Sequence, residues 1–258
     1  MELLLERKKV KSALGKSNLP GLDYTINPYI GCSHGCIYCY ARLYCDARIA
    51  KNWGKIVVVK ENIAETLLKE IGRRKRGVVG LSTITDPYQS IEAKERITRE
   101  VLRILLENGF KVSIQTKSDL VLRDLDLLFE KKEIVDVGFT ITTLEDRIAE
   151  LIEPNAPKPS ARVKALEKIS GEGIKTWIFL GPIIPEISEK SFEEIVEIAK
   201  ATNSLLYYDK YRVKPFMSGY AKELAEKARR TDWKEIAERI KGLCIAKGVE
   251  FTSGFGDL

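Results

Sequence analysis

Short β-rich runs alternate with helical patterns along almost the whole chain, and this alternation restricts the fold more than any other feature. The runs Tyr24–Asn27, Val78–Thr83, Lys111–Gln115, Ile134–Thr142, Thr176–Leu180 and Leu205–Val213 read as core strands, each followed by a helical segment. Helices are expected over 40–50 and 63–71, from a Ser90 cap to Asn108-Gly109, and over 120–129, 161–169 and 192–200. Lys55–Val59 reads as an extra short strand and Thr143-Leu-Glu-Asp146 as a capping box; helices over about 219–229 and 233–247 finish the chain. Six βα units in series imply a parallel sheet with right-handed crossovers. Six is fewer than the eight of a closed barrel, so the expected fold class is α/β, an open (β/α)6 partial TIM-type barrel. No linker or internal repeat divides the sequence, and one domain is expected. Residues 1–20 read as an N-terminal extension, 21–215 as the barrel, and 216–258 as C-terminal helices and tail packing on it.

In barrels of this kind the reactive groups lie at the carboxyl ends of the strands. Cys32–Cys39, Thr85-Asp86, Gln115-Thr116-Lys117, Thr140–Thr143, Gly181–Glu186 and Lys214 all fall on that face. The cluster Arg73–Arg76 precedes a strand and falls on the opposite one.

Three of the five cysteines stand within eight residues, as Cys32-Ser-His-Gly-Cys36-Ile-Tyr-Cys39. A CxxxCxxC run puts three thiolates on one loop, the number needed to hold three irons of a [4Fe–4S] cluster and leave the fourth iron open. Zinc is the chief rival, with His34 completing a Cys₃His set. Structural zinc usually draws its ligands from two separate hairpins, whereas His34 lies inside the triplet and no second CxxC follows. A disulfide cannot pair three cysteines, and a redox pair Cys36–Cys39 leaves Cys32 unexplained. The cluster reading accounts for all three. Gly15-Lys-Ser17 ends like a phosphate loop but lacks the first glycine, Val10 standing there, and a preceding strand. A single histidine leaves no nucleophile triad.

At 258 residues the chain can bury one large core. It has no apolar run of about 18 residues and no signal-peptide pattern at its charged start, so no membrane association and a cytoplasmic location are expected. A reducing compartment also suits thiolate ligands. Charged residues make up 31%, and Gln89 and Gln115 are the two glutamines, a usage like that of thermophiles. The net charge of +6 is mild; basic clusters at 8–11, 73–76 and 210–214 read as solvated faces or as nucleic-acid contacts.

CxxxCxxC with Tyr38 before its last cysteine resembles the signature loop of radical S-adenosylmethionine (SAM) enzymes, whose partial barrel also matches the strand count. The string from Asp23 to Arg42, with Thr85-Asp-Pro-Tyr-Gln-Ser-Ile-Glu92 and Leu151-Ile-Glu-Pro-Asn-Ala156, resembles the spore photolyase-related subgroup. The resemblance spans about Lys16 to Lys214. It implies that Cys32, Cys36 and Cys39 ligate a [4Fe–4S] cluster that cleaves S-adenosylmethionine to methionine and a 5′-deoxyadenosyl radical. It further implies an electron donor of the ferredoxin or flavodoxin type.

By the same resemblance Tyr38 packs by the adenine, and Thr85 and Asp86 meet the methionine amino group. Lys117 holds the methionine carboxylate, Thr140 meets the ribose, and Gly181, Pro182 and Ile183 touch the adenine. Plainer readings stand beside these: Asp86 as a turn residue before Pro87, Lys117 as an exposed lysine, Thr140 as an ordinary strand threonine, and Tyr38 as loop filling.

The subgroup returns a hydrogen atom from a cysteine near the end of its second strand, and Val78–Glu92 contains none. Strict spore-lesion repair is therefore not expected. Cys45 and Cys244 read as packed apolar residues; Tyr88, Tyr208 and Tyr211 are further candidates for a hydrogen relay. Three readings of function stay open. The first is radical modification or repair of nucleic acid, drawing on Tyr208, Lys210, Arg212 and Lys214 on one strand face and on Arg42 and Arg48 at the rim. The second is hydrogen abstraction from a small molecule or peptide. The third is an iron–sulfur or zinc protein without turnover.

Overall fold

A computed structural model of the chain describes residues 3–255. In chain order its strands are β1 (Leu4–Lys8), β2 (Gly15–Lys16), β3 (Tyr24–Ile26), β4 (Tyr29–Ile30), β5 (Ile56–Lys60) and β6 (Val78–Leu81). They continue with β7 (Lys111–Thr116), β8 (Val135–Thr140), β9 (Lys175–Ile183), β10 (Leu205–Lys210) and β11 (Phe251–Ser253). The main sheet runs β11-β10-β9-β8-β7-β6-β3-β2 and does not close. Its six central strands, β3 and β6 to β10, pair in parallel, as the serial βα units require. The expected α/β partial barrel is the observed architecture. A second, three-stranded sheet, β1-β5-β4, stands beside the start of the barrel.

The core lies between the sheet and its helices. Ile26, Leu81, Ile114, Phe139, Ile178 and Leu206 supply one inward side chain per central strand, and Leu67, Leu102, Leu166 and Ile195 meet them from the crossover helices. The sequence alternation is visible in β7, where Val112, Ile114 and Thr116 are buried and Lys111 is exposed. Gly138 in β8 is required by its neighbour: an added Cβ would fall 2.1 Å from the Trp177 ring. Trp177 is pinned there because its Nε1 donates to Asp136 Oδ1 at 2.7 Å. Gly138→Ala is expected to destabilise the fold by about 1–3 kcal/mol, read as a lower denaturation midpoint. An unchanged midpoint would mean that the indole moves freely.

Several local expectations give way to tertiary contacts. The helix expected from Ser90 is two, Glu92–Glu95 and Ile97–Glu107, separated by Arg96 at φ 56°. Ser90 does not cap it; its hydroxyl meets the Ser33 hydroxyl at 3.1 Å. The buried Glu92 carboxylate caps the second helix instead, accepting from Thr98 N at 3.0 Å while paired with Arg123 at 2.8 Å. The expected 40–50 helix is a 3₁₀ turn, Tyr40–Tyr44, and a short helix, Ala47–Lys51, capped by Asp46. The 120–129 segment likewise splits into a 3₁₀ turn, Asp119–Asp124, and the helix Leu125–Glu130. The capping box at Thr143 does not form: the Thr143 hydroxyl accepts from Glu145 N at 3.2 Å, and Asp146 turns to Ser160.

Strand β9 runs past Gly181-Pro182 to Ile183, because Ile183 still pairs with Lys210 across a register shift. Strand β10 stops at Lys210, short of the expected Val213. Tyr208, Lys210, Arg212 and Lys214 therefore do not share a strand face, which corrects the expectation of an aromatic and basic surface there. Tyr208 is buried between Phe251 and Phe255, Lys210 lies over the Phe255 ring, and Arg212 turns back to Asp209 and the Gly254 carbonyl. The missed strands, β1, β2, β4 and β11, are edge pieces of two to five residues, too short to show a period.

Candidate active site

The chain leaves β3 and enters the cysteine loop through Gly31, at φ 81°, where a Cβ would come 2.5 Å from the Ile56 carbonyl oxygen. Only glycine fits both the angle and the approach. The loop is tied to the end of β6 by side chains of 85–90. Thr85 Oγ1 donates to the Gly31 carbonyl at 2.6 Å, and Gln89 Oε1 accepts from Ser33 N at 2.7 Å. Gln89 Nε2 in turn donates to Thr85 Oγ1 at 2.9 Å. Thr85-Asp-Pro-Tyr-Gln-Ser thus builds the wall against which the cysteine loop is cast.

Cys32, Cys36 and Cys39 face one cleft together with Thr85, Asp86, Lys117 and Thr140, at the carboxyl ends of β6, β7 and β8. The cleft is narrow, with a cavity volume of about 90 Å³, below the roughly 300–1,000 Å³ usual for small-molecule sites. Burial pushes all three thiols up, Cys32 to about 12 with the Asp86 charge adding to it. Lys117 opposes the rise at Cys36 and Cys39. Thiols so placed become thiolates when a cation binds them, and the thiolate is the metal ligand. The donor set therefore fits an iron–sulfur cluster.

Zinc would draw on His34 as its fourth donor. The His34 ring is buried, which lowers its pKa, and its Nδ1 faces Asp86 Oδ2 at 3.4 Å. His34 lines the same cleft as the cysteines, and among the described residues no three His, Cys, Asp or Glu side chains, these cysteines included, converge as around one ion.

The remaining expected residues take varied places. Asp86 is spent on the fold: it accepts from Thr116 Oγ1 at 2.7 Å, Lys117 N at 2.8 Å and Tyr88 N at 2.9 Å. With its oxygens so engaged it joins the ends of β6 and β7. Lys117 lines the cleft, with its ammonium 5.7 Å from the Tyr38 ring centre and 3.8 Å from Glu153 Oε1. Thr140 lines the cleft and accepts from Gln115 Nε2 at 3.1 Å. Tyr38 is buried behind the cysteines, its hydroxyl donating to Glu153. Gly181, Pro182 and Ile183 do not line the cleft; Gly181 packs on the Phe179 ring and Ile183 is in the main core.

The hydrogen-relay candidates are enclosed elsewhere. Cys244, Tyr88 and Tyr208 lie in the main core, Tyr211 donates to the Ala221 carbonyl at 3.2 Å, and Cys45 packs with Ile49 and Ile56. At the rim, Arg48 is held by Glu6 through two contacts of 2.7 Å. Arg42 lies 4.3 Å over the Phe216 ring.

Sequence reasoning gave no role to Glu153, though it stands in the string 151–156 that carries the resemblance, nor to Arg162; both are buried and paired at 2.5 Å beneath the cysteine loop. A signal existed: Arg162 falls on the same stripe of the helix Pro159–Gly171 as Ala165, Leu166 and Ile169, all buried. A charge on an apolar stripe implies a buried partner.

The model of the Radical SAM superfamily matches residues 26–199. An uncharacterized protein of Methanocaldococcus jannaschii is 38% identical over 201 residues, covering 78% of this chain and 75% of that one. An uncharacterized protein of Acidianus two-tailed virus is 35% identical over 188 residues, covering 69% and 62%. Among solved structures, spore photoproduct lyase complexed with dinucleoside spore photoproduct superposes with a TM-score of 0.67 at 16% identity, over 96% of this chain and 81% of that one. Streptococcus suis SuiB bound to S-adenosylmethionine gives 0.55 at 14% identity, over 89% and 49%. These two likenesses speak for the fold, and the fold agrees with the family match. With three cysteines lining a cleft at the carboxyl ends of an open sheet whose six central strands run parallel, the chain belongs to the radical SAM superfamily.

Proposed function

We propose that this chain is an enzyme in which Cys32, Cys36 and Cys39 hold a [4Fe–4S] cluster and the adjoining cleft takes S-adenosylmethionine. One observation carries the reading: three cysteines and one lysine, Lys117, line a single cleft at the carboxyl ends of parallel strands. When bound, the cluster and S-adenosylmethionine supply reductive cleavage of a C–S bond and hydrogen abstraction from a substrate. The chain's own residues bind and shield. Lys117 offers its cation to the methionine carboxylate, and Thr140 offers a hydroxyl to the ribose. Thr85 and Gln89 hold the loop so that the thiols keep their places. Asp86 acts on the site through the backbone it fixes rather than by touching the ligand.

The proposed electron donor is a protein of the ferredoxin or flavodoxin type, and the proposed location is the cytoplasm; no helix among the described residues is long and apolar enough to cross a membrane. For the substrate we propose nucleic acid. The support is the shared fold with a lyase complexed with a dinucleoside, and the aromatic surface beside the cleft. Tyr40 lines the cleft at 45% exposure with Tyr44 edge-on to it, and Arg42 stacks on Phe216 nearby in sequence. Such surfaces stack bases without reading sequence.

The test is anaerobic reconstitution with reductant and S-adenosylmethionine, with 5′-deoxyadenosine measured with and without single-stranded DNA or RNA. Stimulation that weakens steeply with salt supports the nucleic-acid reading. A yield indifferent to nucleic acid points to a small molecule or peptide, and a colourless zinc-loaded chain removes the enzyme reading. Lys117→Ala is expected to weaken S-adenosylmethionine binding about 10–100-fold, the loss of one hydrogen bond to a charged group. Equilibrium dialysis measures it, and unchanged binding would take Lys117 out of the cofactor site.

A further inference from the structure

We propose that Glu153 is a positioning residue of this site, holding Lys117 and Tyr38 against the cysteine loop and setting the charge beside the group that the thiols bind. The proposal rests on the cluster reading above. Its basis is the segment Ile152–Asn155, which follows the helix Asp146–Ile152 and lies along the back of the loop. The Ile152 carbonyl accepts from Ile37 N at 3.0 Å, and Asn155 N donates to the His34 carbonyl at 3.2 Å. Asn155 Nδ2 donates to the Ser33 carbonyl at 3.0 Å. Gly35 fits against this segment because it has no side chain: a Cβ there would come 3.3 Å from Asn155 Nδ2 and 3.3 Å from Gly54. The loop is therefore clamped from both sides, by 85–90 in front and by 152–155 behind.

Glu153 stands in the middle of that clamp, 1% exposed. Its Oε1 accepts from the Tyr38 hydroxyl and lies 3.8 Å from Lys117 Nζ. Its Oε2 faces Arg162. Arg162 cannot turn away, since it also donates to the Pro157 carbonyl at 2.9 Å and the Thr140 carbonyl at 3.0 Å. A pair that served the fold alone would need only Glu153 and Arg162. The third charge belongs to Lys117, a residue that lines the cleft, and two cations on one buried carboxylate are tolerable only because that carboxylate stands between them. Glu153 thereby decides where the Lys117 ammonium points. Charges beside an iron–sulfur centre move its reduction potential, and partners behind the ligands orient them.

The experiment uses the full chain, iron-loaded and titrated with reductant under electron paramagnetic resonance. Glu153→Gln keeps the shape and removes a negative charge, and its midpoint is expected above the parent's at equal iron content. Lys117→Met removes a positive charge, and its midpoint is expected below. Because one residue acts through the other, the double variant is expected to shift by an amount different from the sum of the two. Additive shifts, or unmoved midpoints at full iron content, overturn the proposal. Should Glu153→Gln fail to fold, Lys117→Met decides alone, an unmoved midpoint again overturning it. A parent chain that takes up no iron overturns the cluster reading and this proposal together, whereas iron-loaded variants with unmoved midpoints overturn this proposal alone.

Discussion

Cys36→Ala is expected to abolish iron uptake and, with it, all cleavage of S-adenosylmethionine. Cys36 is the central donor of the triplet, buried and with Lys117 close enough to oppose the rise of its pKa. Two thiols remain after the substitution, too few to hold three irons. The fold itself loses little, since one sulfur leaves a loop tied at both ends by hydrogen bonds to Gly31, Ser33 and Ile37. Iron and sulfide content, the visible absorbance of the reconstituted chain, and chromatography of 5′-deoxyadenosine measure the outcome. A Cys36→Ala chain that still cleaves the cofactor would remove the cluster from these cysteines.

The largest expected loss of stability comes from Arg162→Met, about 3–5 kcal/mol at neutral pH, because it leaves a buried carboxylate without its main partner. In the parent chain burial pushes the Glu153 carboxyl up, but Arg162 and Lys117 outweigh it and hold it below the ordinary value. Glu153 then contributes stability above its unfolded pKa, and that contribution is lost as pH falls through the lowered folded value. In Arg162→Met the balance reverses: burial wins, the carboxyl titrates above its unfolded value, and the variant suffers most at neutral and higher pH. The gap between parent and variant is expected to narrow as pH falls from about 7 towards about 4.3, the unfolded glutamate value. Melting curves by circular dichroism across that range measure it. A gap independent of pH would mean that Glu153 finds another partner.

The helix Ile63–Ile71, with a strong apolar stripe, was legible to the residue because its own side chains dictate the period. The Arg96 break was not, since Glu92 is drawn inward by Tyr29 and Arg123, residues 63 and 31 positions away. A cap supplied by a side chain that far from its partners in sequence leaves no local mark. Asp86 shows the same limit at the site. As a residue type before a proline it fits a ligand contact or a turn equally, and the geometry gives its oxygens to Thr116, Lys117 and Tyr88. The basic strand face failed for a related reason: alternation holds only while the strand lasts, and β10 stops at Lys210, where Asp209 accepts from the next amide.

By itself the sequence determined the order of βα units, the hand of their crossovers, the loop that carries the three thiols and the face of the barrel on which they open. Those follow from short-range period and spacing, which are written locally. Only the tertiary structure decided that Thr85 and Gln89 brace the loop in front, that Glu153 and Asn155 brace it behind, and that Lys117 stands between a carboxylate and the cysteines. Those contacts join segments 36 to 122 residues apart in the chain, and what each charge does is set by the burial and the neighbours it acquires when they meet.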